Sequence, residues 1–379
     1  MNDCDVLIIG AGIAGASVAW RLARMGRRVR VLEREAQPAF HSTGRSAAMF
    51  MESYGPPGVR ALTRAGRDFY LNPPPGFADG APLLHPRAAL YVATDAQHAA
   101  LQALHDELAA SGTVLAVLDA AQIVRTVPVL RPGLFTRALL DSDGFDIDVH
   151  ALLQGFLRGA RAAGAVLSLG TEPRAAVHEG GRWRVALSDG SAVTAGVVVD
   201  AAGAWVDEVA LLFGAAPIGI EPRRRSAFTF APPPGLQVSA WPLVADVDEG
   251  EGWYFKPDAG QLLGSPANAD ATTPHDVQPE ELDIALGIHR IQEATTLEIR
   301  RPSATWAGLR SFVRDGEIVI GFDGACPGFF WLAAQGGYGI QSAAGASLLA
   351  ASLIAGAPLP DELLAHGVDS ALLRPSRLR

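Results

Sequence analysis

Hydrophobic residues set the first elements of the chain. Val6 to Ile9 form an uninterrupted aliphatic run, which fits a strand buried on both faces. The run gives way to Gly10-Ala11-Gly12-Ile13-Ala14-Gly15, a helix expected from about Ile13 to Met25-Gly26, and a second strand over Val29–Leu32. Farther on, Leu90–Ala93 reads as a strand. Thr94 with Gln97 makes a capping box for a helix whose Leu101, Leu104 and Leu108 share one face. Asp119 with Gln122 repeats the device before a short helix ending near Pro128. Asp148 caps a helix that buries Leu152, Leu153, Phe156 and Leu157 and ends at Gly164, followed by the strand 165–169. Residues 175–177, 183–187 and 191–194, separated by Gly-containing turns, predict a three-stranded meander. Residues 196–200 predict a further apolar strand running into Ala201-Ala202-Gly203-Ala204-Trp205.

From Ile218 to about Ile299 the pattern is β-rich, with strands over 226–230, 253–256 and 261–264 and a closing helix near 279–295. Then come Phe312, a turn at Asp315-Gly316, strands over 318–320 and 329–333, a glycine turn at Gly336 to Gly339, and a helix from Ile340 to Ala355. Between them, Tyr54-Gly55-Pro56-Pro57-Gly58 predicts an exposed turn, and Asn72-Pro-Pro-Pro-Gly76 a break. The fold class is α/β: a Rossmann-type nucleotide-binding domain (1–82, 141–214, 306–379) interleaved with a mainly antiparallel β domain (83–140, 215–305).

With 379 residues, 49% of them hydrophobic, the chain can fill a large core. A net charge of −9 argues against nucleic acid as partner. Two cysteines, Cys4 and Cys326, offer neither a disulfide framework nor metal-ligand spacing. Residues 1–10 lack a signal peptide's basic region, so a cytoplasmic setting is expected. Residues 324–360 carry no charge, but Gln335-Gly336-Gly337-Tyr338-Gly339 divides them into a strand and a helix too short to suggest a membrane span.

The opening motif carries the first chemistry. Gly10 allows the tight turn, Gly12 lets backbone approach a pyrophosphate, and Gly15 lets helix pack on strand. Helix amides from Ile13 and Ala14 would face the phosphates. Glu33, about 20 residues past the turn, stands where a carboxylate accepts the ribose hydroxyls. The small, polar loop over Ser42, Thr43, Gly44, Arg45, Ser46, Ala47 and Ala48 could lie along the diphosphate and a flat ring, with Arg45 on phosphate. Only one such glycine motif is present, so the dinucleotide is expected to be the redox cofactor itself.

Over essentially its whole length the chain resembles the FAD-dependent D-amino acid oxidase superfamily, which includes glycine and sarcosine oxidases; within it the chain is most similar to D-arginine dehydrogenase. The segments that carry the resemblance are 32–38, 41–48, 224–228, 256–260, 306–312 and 334–341. It implies FAD, held by the motif residues together with Arg34, Glu172, Ala202 and Gly203; Cys326 and His41 are chemically capable of covalent attachment, but non-covalent binding is expected. Gly336, Gly337, Tyr338, Gly339, Ile340 and Gln341 would form a turn whose amides reach the flavin N1 side. Arg310 and Arg225 match substrate-side arginines, Tyr54 and Tyr254 match pocket tyrosines, and Gly308 lies beside them.

The activity implied is hydride transfer from Cα of a D-amino acid to the flavin, giving an imino acid that water hydrolyses. N-methyl amino acids, glycine or 2-hydroxy acids would suit the same clamp, and a flavin-binding interaction module without turnover is a further class. The electron acceptor, whether quinone, dye or oxygen, is left open. D-arginine dehydrogenase carries a histidine and a glutamate where this chain has Met49 and Ala89, so apolar D-amino acids are expected in place of D-arginine. Glu52 and Glu251, on neighbouring loops, are the residues that could reverse this.

Overall fold

The computed structural model describes residues 2–248 and 252–379. Its first strand, Asn2–Ile9, lies inside an eight-stranded sheet, parallel to Val29–Leu32 on one side and to Ala192–Asp200 on the other. Alternate residues of a strand point to opposite faces. Val6 and Ile8 pack under the helices Ile13–Arg24, Val149–Ala162 and Gly339–Ala355, whereas Leu7 and Ile9 enter a second core with Trp183, Val206 and Phe213. Both faces are covered, which explains the uninterrupted aliphatic run.

Ala192–Asp200 is a single strand where the sequence pattern suggested two. Val193 to Ala195 and Val197 to Asp200 pair with the first strand in one register, so the strand continues through Gly196. On its other edge the first half completes the meander, and Val198 to Asp200 pair with Phe329–Ala333.

The helix Pro57–Leu71 was not expected; the turn is kept at Tyr54 and Gly55, half-buried, and the helix takes over from Pro57. It packs against Gly339–Ala355 closely enough that a Cβ on Gly345 would stand 2.1 Å from the Leu62 carbonyl oxygen. The preceding residues are tied down: Gln341 Nε2 donates to the carbonyls of Met51 and Tyr54, at 3.1 Å each.

A nine-stranded, mainly antiparallel sheet forms the second layer system. One face buries Phe228, Phe230, Trp253 and Phe255 against the helices Ala120–Thr126 and Glu281–Ala294. A small sheet of Met49–Phe50, Phe145–Ile147 and Leu84–Pro86 is tied to it through Asp146, which accepts from Lys256 Nζ at 2.6 Å and Arg87 Nε at 2.8 Å. The expected division at residue 306 needs one correction. Ala304–Phe312 pairs along its length with Glu221–Phe230, so 306–312 are hydrogen-bonded into the second sheet. Among the described residues no helix is long and apolar enough to cross a membrane.

Candidate functional site

A long cavity begins at the glycine turn and ends against the second sheet. Gly10 has φ +100°, and a Cβ there would come within 2.6 Å of the Ala201 carbonyl oxygen. Gly12 lines the cavity, and its Cβ would meet Thr43 Oγ1 at 3.2 Å. Gly15 does not line it; its Cβ would overlap the Gly10 carbonyl at 1.9 Å, so its role is to let the helix sit on the turn. Glu33 is 9% exposed and accepts the amides of Ala11 at 2.9 Å and Glu35 at 3.0 Å. Its carboxylate is thereby fixed at the strand's end with acceptor capacity left toward the cavity. Arg34 stacks over Trp205 at 4.0 Å, and Glu172, Ala202 and Gly203 share this wall.

The 39–48 loop departs from expectation in several places. The Ile13 amide is not left for phosphate, because it donates to Thr43 Oγ1 at 3.1 Å. Ser42 Oγ donates to the Leu309 carbonyl at 2.6 Å. Gly44 serves the loop itself, since a Cβ would stand 2.3 Å from the Ala39 carbonyl oxygen. Arg45 lines the cavity, but its guanidinium is already engaged by protein groups. Its guanidinium donates to Asp276 at 2.5 Å and to the carbonyls of Val277 at 2.9 Å and Ala307 at 3.2 Å, which staples the loop to the second sheet. Ser46 and Ala47 line the cavity, whereas Ala48 lines a neighbouring one.

At the far end, Gly336, Gly337, Gly339 and Ile340 line the cavity where the helix Gly339–Ala355 begins. A Cβ on Gly337 would stand 2.8 Å from Arg310 Cζ, so glycine is what lets the turn meet this guanidinium. Tyr338 and Gln341 lie behind the lining: Tyr338 packs edge-on against Tyr54, and Gln341 is buried as the tie already described.

Arg225, Gly308 and Arg310 are brought together by register. Arg225 pairs with Gly308 and Arg223 with Arg310, so the three cavity residues share one face. Of the arginine triplet, Arg223 pairs with Glu221, and Arg224 turns to the opposite face among Asp270, Glu280 and Asp283. Arg310 Nη1 donates to the Tyr54 hydroxyl at 3.3 Å. Burial works against the Arg310 charge, but the phenols of Tyr54 and Tyr254 more than offset it and hold the guanidinium above its ordinary value. Arg225 is pushed below its ordinary value, first by burial and then by the Arg310 charge. Neither forms an ion pair among the described residues; Arg225 donates instead to the Asn268 carbonyl and to Tyr254.

Tyr54, Tyr254 and Met49 pack into one apolar cluster with Met51, Tyr91, Leu243 and Ala89. Ala89 itself is fully buried and does not line the cavity. Glu52 is committed to Arg67 at 2.9 Å, and Glu251 lies outside the described residues. Among the contributors that went unread in the sequence are Ala227 and Asn268. Ala227 lines the cavity and was legible as the next same-face residue after Arg225, whereas Asn268 gave no local signal.

The missing Cβ atoms at Gly10 and Gly12, the fixed Glu33 carboxylate and the glycine turn beside Arg310 fit a dinucleotide with a redox-active ring. One family model, described as FAD dependent oxidoreductase, matches residues 5–353. A bifunctional tRNA 5-methylaminomethyl-2-thiouridine biosynthesis protein of Burkholderia vietnamiensis is 28% identical over 296 residues, 74% of this chain and 41% of that protein. The chain therefore spans less than half of that relative. Glycine oxidase from Geobacillus kaustophilus superposes with a TM-score of 0.84 at 21% identity, covering 100% of this chain and 99% of that one. L-proline dehydrogenase from P. horikoshii superposes with a TM-score of 0.82 at 20% identity, covering 99% and 98%. At these identities the likeness is one of fold.

Proposed function

The chain belongs to the family of FAD-dependent oxidoreductases, and we propose that it oxidises apolar D-amino acids to imino acids, which water hydrolyses to 2-oxo acids and ammonia. FAD is the cofactor and, when bound, supplies the hydride acceptor. The residues suited to hold it are Gly10, Gly12 and Glu33 at the adenosine diphosphate end and the Gly336–Ile340 turn at the ring end.

The observation that carries the substrate reading is a pair of cavity-facing guanidiniums without a carboxylate partner among the described residues. Arg310, with donors in a planar fork, suits an α-carboxylate, and Arg225 approaches from the next strand. Tyr254 lines this end, and Tyr54 stands behind it with its hydroxyl on Arg310. For the side chain, Met49 and its cluster pack behind the wall at Tyr254 and make that end apolar, and Glu52 is held by Arg67. A guanidinium side chain would be desolvated there without a partner. The D configuration rests on the sequence resemblance.

The test is anaerobic mixing of the holoenzyme with D- and L-leucine, D-methionine, D-arginine, glycine, sarcosine and 2-hydroxyisocaproate, followed by admission of oxygen. D-leucine and D-methionine should bleach the flavin fastest, and the rate on admitting oxygen tells whether oxygen is an acceptor. Bleaching by the L-enantiomer or the hydroxy acid alone would overturn the assignment, and faster bleaching by D-arginine would overturn the side-chain preference. Free FAD should appear on denaturation. Cys326 is buried in the second core away from the cavity wall, whereas His41 lines the cavity with its Nε2 3.0 Å from Glu35.

A further inference from the structure

Arg225 is held from behind. Its Nε donates to the Asn268 carbonyl at 2.5 Å, which turns the Nη edge of a planar group toward Tyr254 and the cavity. Asn268 is itself fixed by its side chain: Oδ1 accepts the Ser226 amide at 2.9 Å, and Nδ2 donates to Asp270 at 2.7 Å and Asp283 at 3.0 Å. Asp283, 8% exposed, also accepts from Ser226 Oγ at 2.7 Å and from Arg224 Nε at 2.9 Å. The turn before Asn268 is strained. Ala267 sits at φ +54°, and its amide is held by Ser265 Oγ at 3.1 Å. Arg224, on the opposite face from Arg225, thus anchors the network that orients its neighbour.

We infer that Asn268 is a positioning residue that aims Arg225 at the substrate carboxylate, with Asp283 and Arg224 as its anchor. The inference rests on the carboxylate-clamp reading of Arg225 and Arg310. Asn268 does not line the cavity, so its effect on binding is expected to pass through Arg225. A role confined to folding would not depend on which residue stands at 225.

The experiment is a double-mutant cycle on the holoenzyme, with benzoate as probe carboxylate and the flavin absorbance change as readout of Kd. Arg225→Ala should raise Kd about 10-fold or more, in line with loss of a hydrogen bond to a charged group. Asn268→Ala should raise it several-fold in the parent and leave it unchanged in Arg225→Ala. Asn268→Asp, which sets a carboxylate against Asp270 and Asp283, should bind more weakly than Asn268→Ala. Should Asn268→Ala not fold, Ala267→Gly relaxes the strained turn without removing a side-chain contact; it should raise Kd two- to three-fold without lowering Tm. The inference is overturned by an unchanged Kd in both Asn268→Ala and Ala267→Gly, or by an equal loss from Asn268→Ala with and without Arg225. Benzoate binding that ignores Arg310→Ala would instead overturn the carboxylate reading itself. Dependence on Arg310 without dependence on Asn268 would overturn only the present inference.

Discussion

Asp200 ends the strand Ala192–Asp200, fully buried, with one oxygen accepting the Ala202 amide at 3.2 Å and the other without a partner among the described residues. Burial is the main cause that raises its pKa well above the ordinary 3.8, with the Asp207 charge adding to the shift. The folded state therefore favours the protonated acid. Its stabilising contribution is complete below the unfolded value and is lost as pH rises toward the folded one. Asp200→Asn, neutral at every pH, should be more stable than the parent at pH 7, with the difference narrowing toward pH 4; a constant difference in Tm would refute this. Arg310 is the complementary case, a half-buried charge facing the cavity without an anion partner among the described residues. Arg310→Ala should cost about 1.5–3 kcal/mol of carboxylate binding, or roughly 10- to 150-fold in kcat/KM, while FAD content stays at the parental level. No catalytic base stands out among the cavity residues, so the substrate amine must arrive neutral. kcat/KM should then climb to a plateau as pH passes through the amine's titration, and a flat profile would refute it.

Helices that carry their own caps were legible in the sequence. Thr94 with Gln97, Asp119 with Gln122, and Asp148 each lie within three residues of the amides they serve, and all are found in place. The helix Pro57–Leu71 was missed because nothing local announces it. Gly55-Pro56-Pro57-Gly58 has the composition of a turn, although proline at the first helical position is already shaped for a helix. The cap comes from Glu317, whose carboxylate accepts the amides of Gly58 at 2.7 Å and Val59 at 3.2 Å from 259 and 258 residues away. Glu317→Ala should cost about 1–2 kcal/mol, as for other lost N-caps, and lower Tm by a few degrees. Because this helix packs on Gly339–Ala355, whose first turn meets the cavity, FAD affinity should fall as well. A Tm equal to the parent's would show that the cap carries no weight.

Across the whole molecule, the sequence made the nucleotide end plain and left the joints between the sheets hidden. Gly10, Gly12 and Glu33 belong to one contiguous motif, and the Arg225/Arg310 pair came through resemblance. Arg45 shows the limit. Its loop was recognisable, but its partner Asp276 lies 231 residues on, so no local pattern could separate a phosphate ligand from a staple. The two roles predict opposite signs. If Arg45 is a staple, Asp276→Asn weakens the join, and FAD affinity falls in the same direction as in Arg45→Met, though by less, because the carbonyls of Val277 and Ala307 remain. Were Arg45 a phosphate ligand restrained by Asp276, removing the carboxylate would free it and tighten FAD. The structure favours the staple, since three of the groups that hold the guanidinium come from 276, 277 and 307. Titrating apoprotein with FAD should therefore give Kd values rising from parent to Asp276→Asn to Arg45→Met, with the double variant no worse than Arg45→Met. A lower Kd in Asp276→Asn would return Arg45 to the phosphate.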